Sequence, residues 1–255
     1  MNSYSEGTEL IAGRILAGGK NVFFTGAGIS TESGIPDYRS QGGLWEQFRP
    51  VYFDEFMSSR AARIEYWRRK AAMYNDLKDA RPNPGHTALA ALHEMGLIEA
   101  VITQNVDGLH QASGFPDEML VELHGNSLRV RCMECGKLSG LRDAIRRIES
   151  GDVAPECECG GYLKPDTISF GQAMPEKEVE RAMQLSREAE TFVVVGSTLV
   201  VQPAAHMPVY AKQNGAFVAI INLSETPLDD MCDVIVREKA GTALQGILEE
   251  VRLKV

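Results

Sequence analysis

Four of the five cysteines fall close together, as Cys132-x-x-Cys135, 21 intervening residues, and then Cys157-x-Cys159. Four thiolates at such spacing suit tetrahedral zinc, whose structural sites are closed by four protein ligands and keep no position open for catalysis. The first pair has the usual knuckle spacing and is followed by Gly136, while the second is one residue shorter than the commoner C-x-x-C. Gly160-Gly161 gives the ligand loop its turn freedom. Inert structural thiols or redox cysteines are the competing readings. Metal ligation comes first, because a disulfide framework is unusual in an unsecreted chain of this size. Cys232 stands apart and reads as a small buried hydrophobe.

A second chemical signal is Gly26-Ala27-Gly28, directly after the apolar run Asn21 to Thr25. In a dinucleotide loop the first glycine permits a tight turn and the second lets the backbone approach a pyrophosphate. Thr31 stands where the third glycine of G-x-G-x-x-G belongs. A plain strand-to-loop turn without a ligand therefore stays open.

His124 follows the run Met119 to Leu123 and precedes Gly125-Asn126. At the carboxyl end of a buried parallel strand, its near-neutral pKa suits a general base. Gln104-Asn105-Val106-Asp107 follows another strand directly, so two amides and a carboxylate reach the same edge, where they could hydrogen-bond sugar hydroxyls or an amide. Ordinary loop capping by Asn and Asp is the alternative. His86, His93, His110 and His206 read as ordinary helix or surface residues.

These groups need elements to hold them. Helical spacing marks residues 8–19, 53–80, 86–95, 141–149, 204–214 and 242–251, and β-runs mark 21–25, 99–104, 119–123, 192–195, 217–221 and 234–236. Residues 34–50 carry Gly and Pro punctuation and read as an ordered loop. Between 127 and 164 the texture changes to cysteines and few large apolar residues, as in an insertion with its own staple. The expected fold class is α/β, a Rossmann-like parallel sheet covered on both faces, with an inserted small zinc-binding and helical module.

Composition agrees. A chain of 255 residues, 44% hydrophobic and 24% charged, is ordinary for a globular protein and excludes collagen-like or disordered classes. The net charge of −9 disfavours nonspecific binding to nucleic acid or anionic lipid. The longest apolar stretch, Phe192 to Val201, is interrupted by Gly196, Ser197 and Thr198 and falls far short of the roughly 20 residues a membrane helix needs. No secretory pattern opens the chain, so the expected location is cytoplasmic, with no nucleic-acid or membrane partner.

Taken in order, Gly26-Ala-Gly28-Ile-Ser30, Gly34-Ile-Pro-Asp37-Tyr-Arg39, Thr103-Gln-Asn-Val-Asp107, His124-Gly-Asn126, the four cysteines, Gly196-Ser-Thr198 and Asn222 resemble the sirtuins. That family comprises NAD-dependent protein lysine deacylases, and the resemblance runs from about residue 8 to 250. It implies a Rossmann-like NAD-binding domain over 1–36, 86–126 and 165–255, a cofactor loop and helical module over 37–85, and a zinc-ribbon module over 127–164. It implies NAD as co-substrate and one structural Zn2+ held by Cys132, Cys135, Cys157 and Cys159. Gly26, Ala27, Gly28, Thr31, Tyr38, Arg39, Gln104, Val106, Asp107 and Gly196 would contact NAD, with Ser197, Thr198, Asn222 and Ala240 along its adenosine half. Glu225 would discourage a 2′-phosphate.

His124 would be the catalytic base for a ribose hydroxyl, and Asn105 with Asp107 would bind the nicotinamide carboxamide. Ile168, Phe170 and Gly171 would dock the acylated peptide by strand addition. The implied function is transfer of an acyl group from protein lysine to ADP-ribose, releasing nicotinamide. Desuccinylation or demalonylation, or protein ADP-ribosylation on the same scaffold, are the alternatives. Departures from the family pattern are Tyr38 for the commoner phenylalanine, Gln172 for glutamate, and the short C-x-C pair. Family members that prefer succinyl or malonyl lysine carry Tyr-x-x-Arg, and Tyr66-x-x-Arg69 satisfies it, although a one-residue shift puts Trp67 and Lys70 there instead.

Overall fold

A computed structural model describes residues 3–37 and 49–255. Its elements, in chain order, are α1 (Tyr4–Leu16), β1 (Asn21–Thr25), a 3-10 turn (Ala27–Ser33), α2 (Phe53–Ser58), α3 (Arg60–Asp79), α4 (Pro84–Glu94), β2 (Ala100–Thr103) and α5 (Leu109–Ala112). They continue with β3 (Leu120–Glu122), β4 (Gly125–Cys132), β5 (Leu138–Gly140), α6 (Leu141–Glu149), β6 (Leu163–Thr167) and α7 (Glu176–Glu188). The chain closes with β7 (Thr191–Val195), α8 (Met207–Gln213), β8 (Phe217–Ile221), β9 (Val234–Val236) and α9 (Ala240–Arg252).

Six strands form one parallel sheet in the order β3-β2-β1-β7-β8-β9. Their β-branched and aromatic runs are buried on both faces, as such a sheet requires. On one face Ile11, Ile15, Leu89, Leu244 and Ile247 from α1, α4 and α9 pack against Phe23, Val193 and Ala219. On the other, Ala182 and Ala211 from α7 and α8 meet Phe24, Phe192 and Ile220. The chain leaves β1 toward β2 and returns on the other side at β7. Ligands of open α/β sheets bind outside the carboxyl ends of the strands at such a reversal.

The second sheet is antiparallel, in the order β5-β4-β6, and grows directly out of the first. Only Leu123 and His124 separate β3 from β4. Gly125 adopts φ 74° there, and its α-carbon faces the Asp166 carbonyl so closely that a side chain would have no room. The small sheet has its own core, with Trp67 of α3 set among Val130, Leu141, Ile145 and Leu163.

Several elements differ from the sequence expectation. The helix expected over 8–19 begins at Tyr4, where Ser3 accepts a hydrogen bond from the Glu6 amide, and it ends before Gly18 and Gly19, both at positive φ. The expected 53–80 helix is broken by the extended Ser59. β4, β6 and α7 were not anticipated. His86 and His110 are 0% and 2% exposed, core residues rather than ordinary surface ones. No described helix is long and apolar enough to cross a membrane.

Candidate active site and metal centre

A cavity of about 860 Å³ opens where β1, β2, β7 and β8 end and extends along the face of the small module. Its floor is a joint between two loops. The Gly28 amide donates to the Gly196 carbonyl at 2.8 Å, and a Cβ on Gly28 would lie 2.7 Å from the Gly196 Cα. Gly196 itself sits at φ 63°. Both glycines are thus required by the approach of one loop to the other, which a motif read along a single segment cannot reveal. Thr31, in place of the third glycine, turns its hydroxyl back to the Gly28 carbonyl at 3.0 Å.

Gln104 bridges the β2 and β7 loops, its Nε2 donating to Ser197 Oγ at 2.8 Å. Its carbonyl lies 3.0 Å from His124 Nδ1. A carbonyl only accepts, so Nδ1 carries the proton and Nε2 keeps its lone pair. Burial lowers the His124 pKa below the usual histidine value, opposed by that same bond to the Gln104 carbonyl. Asn105 donates from Nδ2 to Ser30 Oγ at 3.1 Å, and Ser30 donates to Asp107 Oδ2 at 2.7 Å. Burial raises the Asp107 pKa, against hydrogen bonds from Leu109 and Ser30.

Of the residues expected at the site, Gly26, Ala27, Gly28, Thr31, Gln104, Asn105, Val106, His124, Ile168, Phe170, Gly171, Gly196, Ser197, Thr198, Asn222 and Ala240 line this one cavity. Asp107 lies beneath it, 9% exposed, and reaches it through Ser30 and Asn105. Tyr38 and Arg39 lie outside the described residues. Glu225 is exposed and absent from the lining, where Ser224, Glu238 and Lys239 stand instead. Asn222 is held by Ser224, while Arg237 donates to the Asn222 and Ser224 carbonyls and pairs with Asp229. Ser30 closes the Gly26–Ser30 motif, but its link between Asn105 and Asp107 appears only in the structure, and Thr167 with the β7-to-α8 residues Val201, Gln202 and Pro203 lines the cavity without a motif that marks any of them.

At the far end, Tyr66, Arg69, Lys70 and Met73 of α3 join Thr167 in the wall. Trp67 points elsewhere: it is fully buried and donates to the Leu163 carbonyl at 3.0 Å. The Tyr66-Arg69 register is therefore the one that faces the cavity. Arg69 is paired with Glu65 at 2.6 Å and also donates to the Arg49 carbonyl. Burial opposes ionisation of Tyr66, but the nearby Lys70 and Lys164 outweigh it and bring its pKa to about 8.

The four cysteine sulfurs lie within 4.8 Å of one another, with Cys132 and Cys159 3.5 Å apart and Cys135 and Cys157 3.9 Å apart. A zinc with Zn–S near 2.3 Å would set tetrahedral S···S edges of about 3.8 Å. The cluster fits that ion. It contains no disulfide, and it lies apart from the large cavity, whose lining includes no cysteine.

Residues 26–203 match the Sir2 family model. The chain belongs to the Sir2 family. It is 49% identical over 239 residues to the "NAD-dependent protein deacetylase 1" of Bradyrhizobium diazoefficiens, covering 93% of this chain and 94% of that one. It is 41% identical to the "NAD-dependent protein deacylase 2" of Pyrobaculum aerophilum, covering 92% of both. A solved structure described as "Structural Basis for the Mechanism and Regulation of Sir2 Enzymes" superposes with a TM-score of 0.88 at 36% identity, covering 98% of this chain and 100% of that one. Another Sir2 structure, "Sir2-p53 peptide-NAD+", matches at a TM-score of 0.84 and 36% identity, covering 94% and 96%. The parallel sheet, the small antiparallel sheet and the four-cysteine cluster are thus those of a Sir2 protein.

Proposed function

We propose that this Sir2 protein is an NAD-dependent protein lysine deacetylase acting on acylated lysine side chains of proteins or peptides. The observation that carries this reading is His124. It lines the cavity with Nδ1 tied to the Gln104 carbonyl, while the glycine joint, Asn105 and the Ile168–Gly171 segment stand around it. The relatives' names support the same activity. NAD would supply the ADP-ribose acceptor and lose nicotinamide. Gly26, Ala27, Gly28, Thr31, Gln104, Val106, Gly196, Ser197, Thr198, Asn222 and Ala240 line the part of the cavity assigned to it, and the reading extends to Tyr38 and Arg39.

Asn105, backed by Ser30 and Asp107, presents a carboxamide suited to another amide. Ile168, Phe170 and Gly171 hold the peptide, whose backbone adds to this edge. His124 Nε2 takes a proton from a ribose hydroxyl, while the Gln104 carbonyl keeps the ring in the tautomer that can do so. Zinc on the four cysteines holds the small module that forms one wall. We assign the large NAD-binding unit to 1–36, 86–126 and 165–255, the helical unit to 37–85 and the ribbon to 127–164. The reading places the protein in the cytoplasm, whose reducing conditions keep four thiolates available to a metal.

Incubation with NAD and an acetyl-lysine peptide should give free lysine, nicotinamide and acyl-ADP-ribose by mass spectrometry. ADP-ribose attached to the peptide instead would favour transfer to protein. The pH profile follows from the direction of the His124 shift. A base must be neutral, and burial lets His124 stay neutral below its ordinary pKa near 6.5. The acid limb of kcat/KM should accordingly fall below pH 6.5, and a limb above 7 would contradict the assignment.

Acetyl peptide should be turned over faster than succinyl peptide. Tyr66 and Arg69 face the cavity as a carboxylate site requires, but Glu65 already neutralises Arg69. Glu65→Gln should raise the succinyl-to-acetyl ratio about tenfold, the low end of what one charge-assisted contact is worth. A wild-type protein that prefers succinyl peptide, with the order reversed in Arg69→Met, would make Tyr66 and Arg69 the selectivity pair.

A further inference from the structure

Beneath the cavity, where β1 and β2 end, lies a set of buried polar side chains that the proposed reaction does not use. Thr25, Thr103 and His110 are each at most 2% exposed, and none lines the cavity. Their hydrogen bonds have a determinate direction. Thr25 Oγ1 donates to Thr103 Oγ1 at 2.8 Å, and the Asn105 amide donates to the same oxygen at 3.0 Å. His110 Nε2 lies 3.0 Å from Thr25 Oγ1. A hydroxyl has one proton, and that of Thr25 is committed to Thr103. His110 Nε2 must therefore carry its own proton and donate it to Thr25.

The chain of bonds then returns on itself. Asn105 Nδ2 donates to Ser30, Ser30 donates to Asp107 Oδ2, and Asp107 Oδ1 accepts from the Leu109 amide at 2.9 Å. Leu109 opens the short helix α5 that carries His110. Asn105 is thus gripped by its backbone from one side and by its side chain from the other, within one closed ring. His86 packs edge-on against His110, with ring centroids 5.1 Å apart, and its Nδ1 accepts from the Asn83 amide at 3.4 Å. That contact packs one ring directly against the other in the buried interior.

We infer that His110 is a positioning residue for the deacylation reaction: through Thr25 and Thr103 it fixes Asn105 at the cavity wall without touching a ligand. The inference rests on the proposed role of Asn105 toward the nicotinamide carboxamide. It reaches three residues, Thr25, Thr103 and His110, none of which lines the cavity.

Two measurements on the full-length, zinc-loaded protein test it. Long-range 1H–15N spectra of the ligand-free protein should show His110 neutral, with the proton on Nε2 and that proton protected from exchange. The Nδ1-protonated tautomer would overturn the inference. Calorimetry with NAD and, separately, with an acetyl-lysine peptide gives the second readout. Thr25→Val should weaken NAD binding by about tenfold, the upper end of what one hydrogen bond contributes, and leave peptide binding within about twofold. Thr25→Ser, which restores the hydroxyl, should recover wild-type affinity, and His110→Leu should reproduce the valine phenotype. Equal losses in Thr25→Ser and Thr25→Val, equal weakening of NAD and peptide, or no weakening at all would overturn the role. Absence of NAD binding by the wild-type protein would instead remove the functional reading and the role with it, while the tautomer would still report on the ring.

Discussion

His124→Ala should lower turnover of acetyl peptide about 10²–10⁴-fold, the usual effect of removing a general base, while zinc content and melting temperature stay near wild type. The separation is expected because the backbone around residue 124 is held independently of the imidazole. The Leu123 amide donates to the Thr103 carbonyl at 3.0 Å, and the Ile168 amide donates to the carbonyl of residue 124 at 3.0 Å. Truncation removes one side-chain bond, from Nδ1 to Gln104, and leaves both strand connections in place. Binding of NAD and peptide should change little, because the loss is of a group that acts on a proton in the transition state. Single-turnover kinetics with both substrates saturating would measure it. Retention of half the wild-type rate would remove His124 from the role of base.

Zinc removal should abolish activity and unfold the small module while leaving the six-stranded sheet folded. Structural zinc contributes roughly 10–16 kcal/mol of apparent binding free energy, comparable to the total stability of an ordinary domain, about 5–15 kcal/mol. The buried apolar core of the module is short: Trp67, Val130, Leu141, Ala144, Ile145 and Leu163 pack around Cys132, itself one of the four ligand candidates. The large sheet, by contrast, has two cores independent of the metal. Cys132→Ala should therefore release amide protection in β4 to β6 with β1, β7 and β8 unchanged, as hydrogen exchange would show. One zinc per chain by elemental analysis is the companion expectation. Full activity after verified metal removal would make the site dispensable.

The large sheet was legible because its strands are apolar on both faces. Runs such as Phe192 to Val195 have no other place to go in a chain of this composition. The cysteines were legible because ligand spacing is local. β4 and β6 were not, since β6 is spelled Leu-Lys-Pro-Asp-Thr although all but Asp166 is buried, β4 carries Asn, Ser and two Arg, and their pairing depends on partners distant in sequence. Arg129 and Arg131 meet Asp166 across the small sheet, and Arg129 also reaches Glu122. The same limit applies within the site. Gly28 carries a familiar motif, but its steric requirement comes from Gly196, 168 residues later. His110 looked ordinary because nothing near it in sequence names Thr25 as its partner. In the helical module, two registers were compatible with helical spacing, and only the burial of Trp67 against Leu163 separates them.

The two-residue step from β3 to β4 makes His124 the axle between the sheets. Leu123 is fastened to β2 on the large side, and the next carbonyl is fastened to Ile168 on the small side. The edge at Ile168 and the end of β2 therefore meet on the backbone of two consecutive residues, beside the Ser127–Val106 and Arg129–Glu122 links that join the same two sheets. A displacement of either sheet relative to the other would move the backbone that carries the imidazole, and with it Nε2.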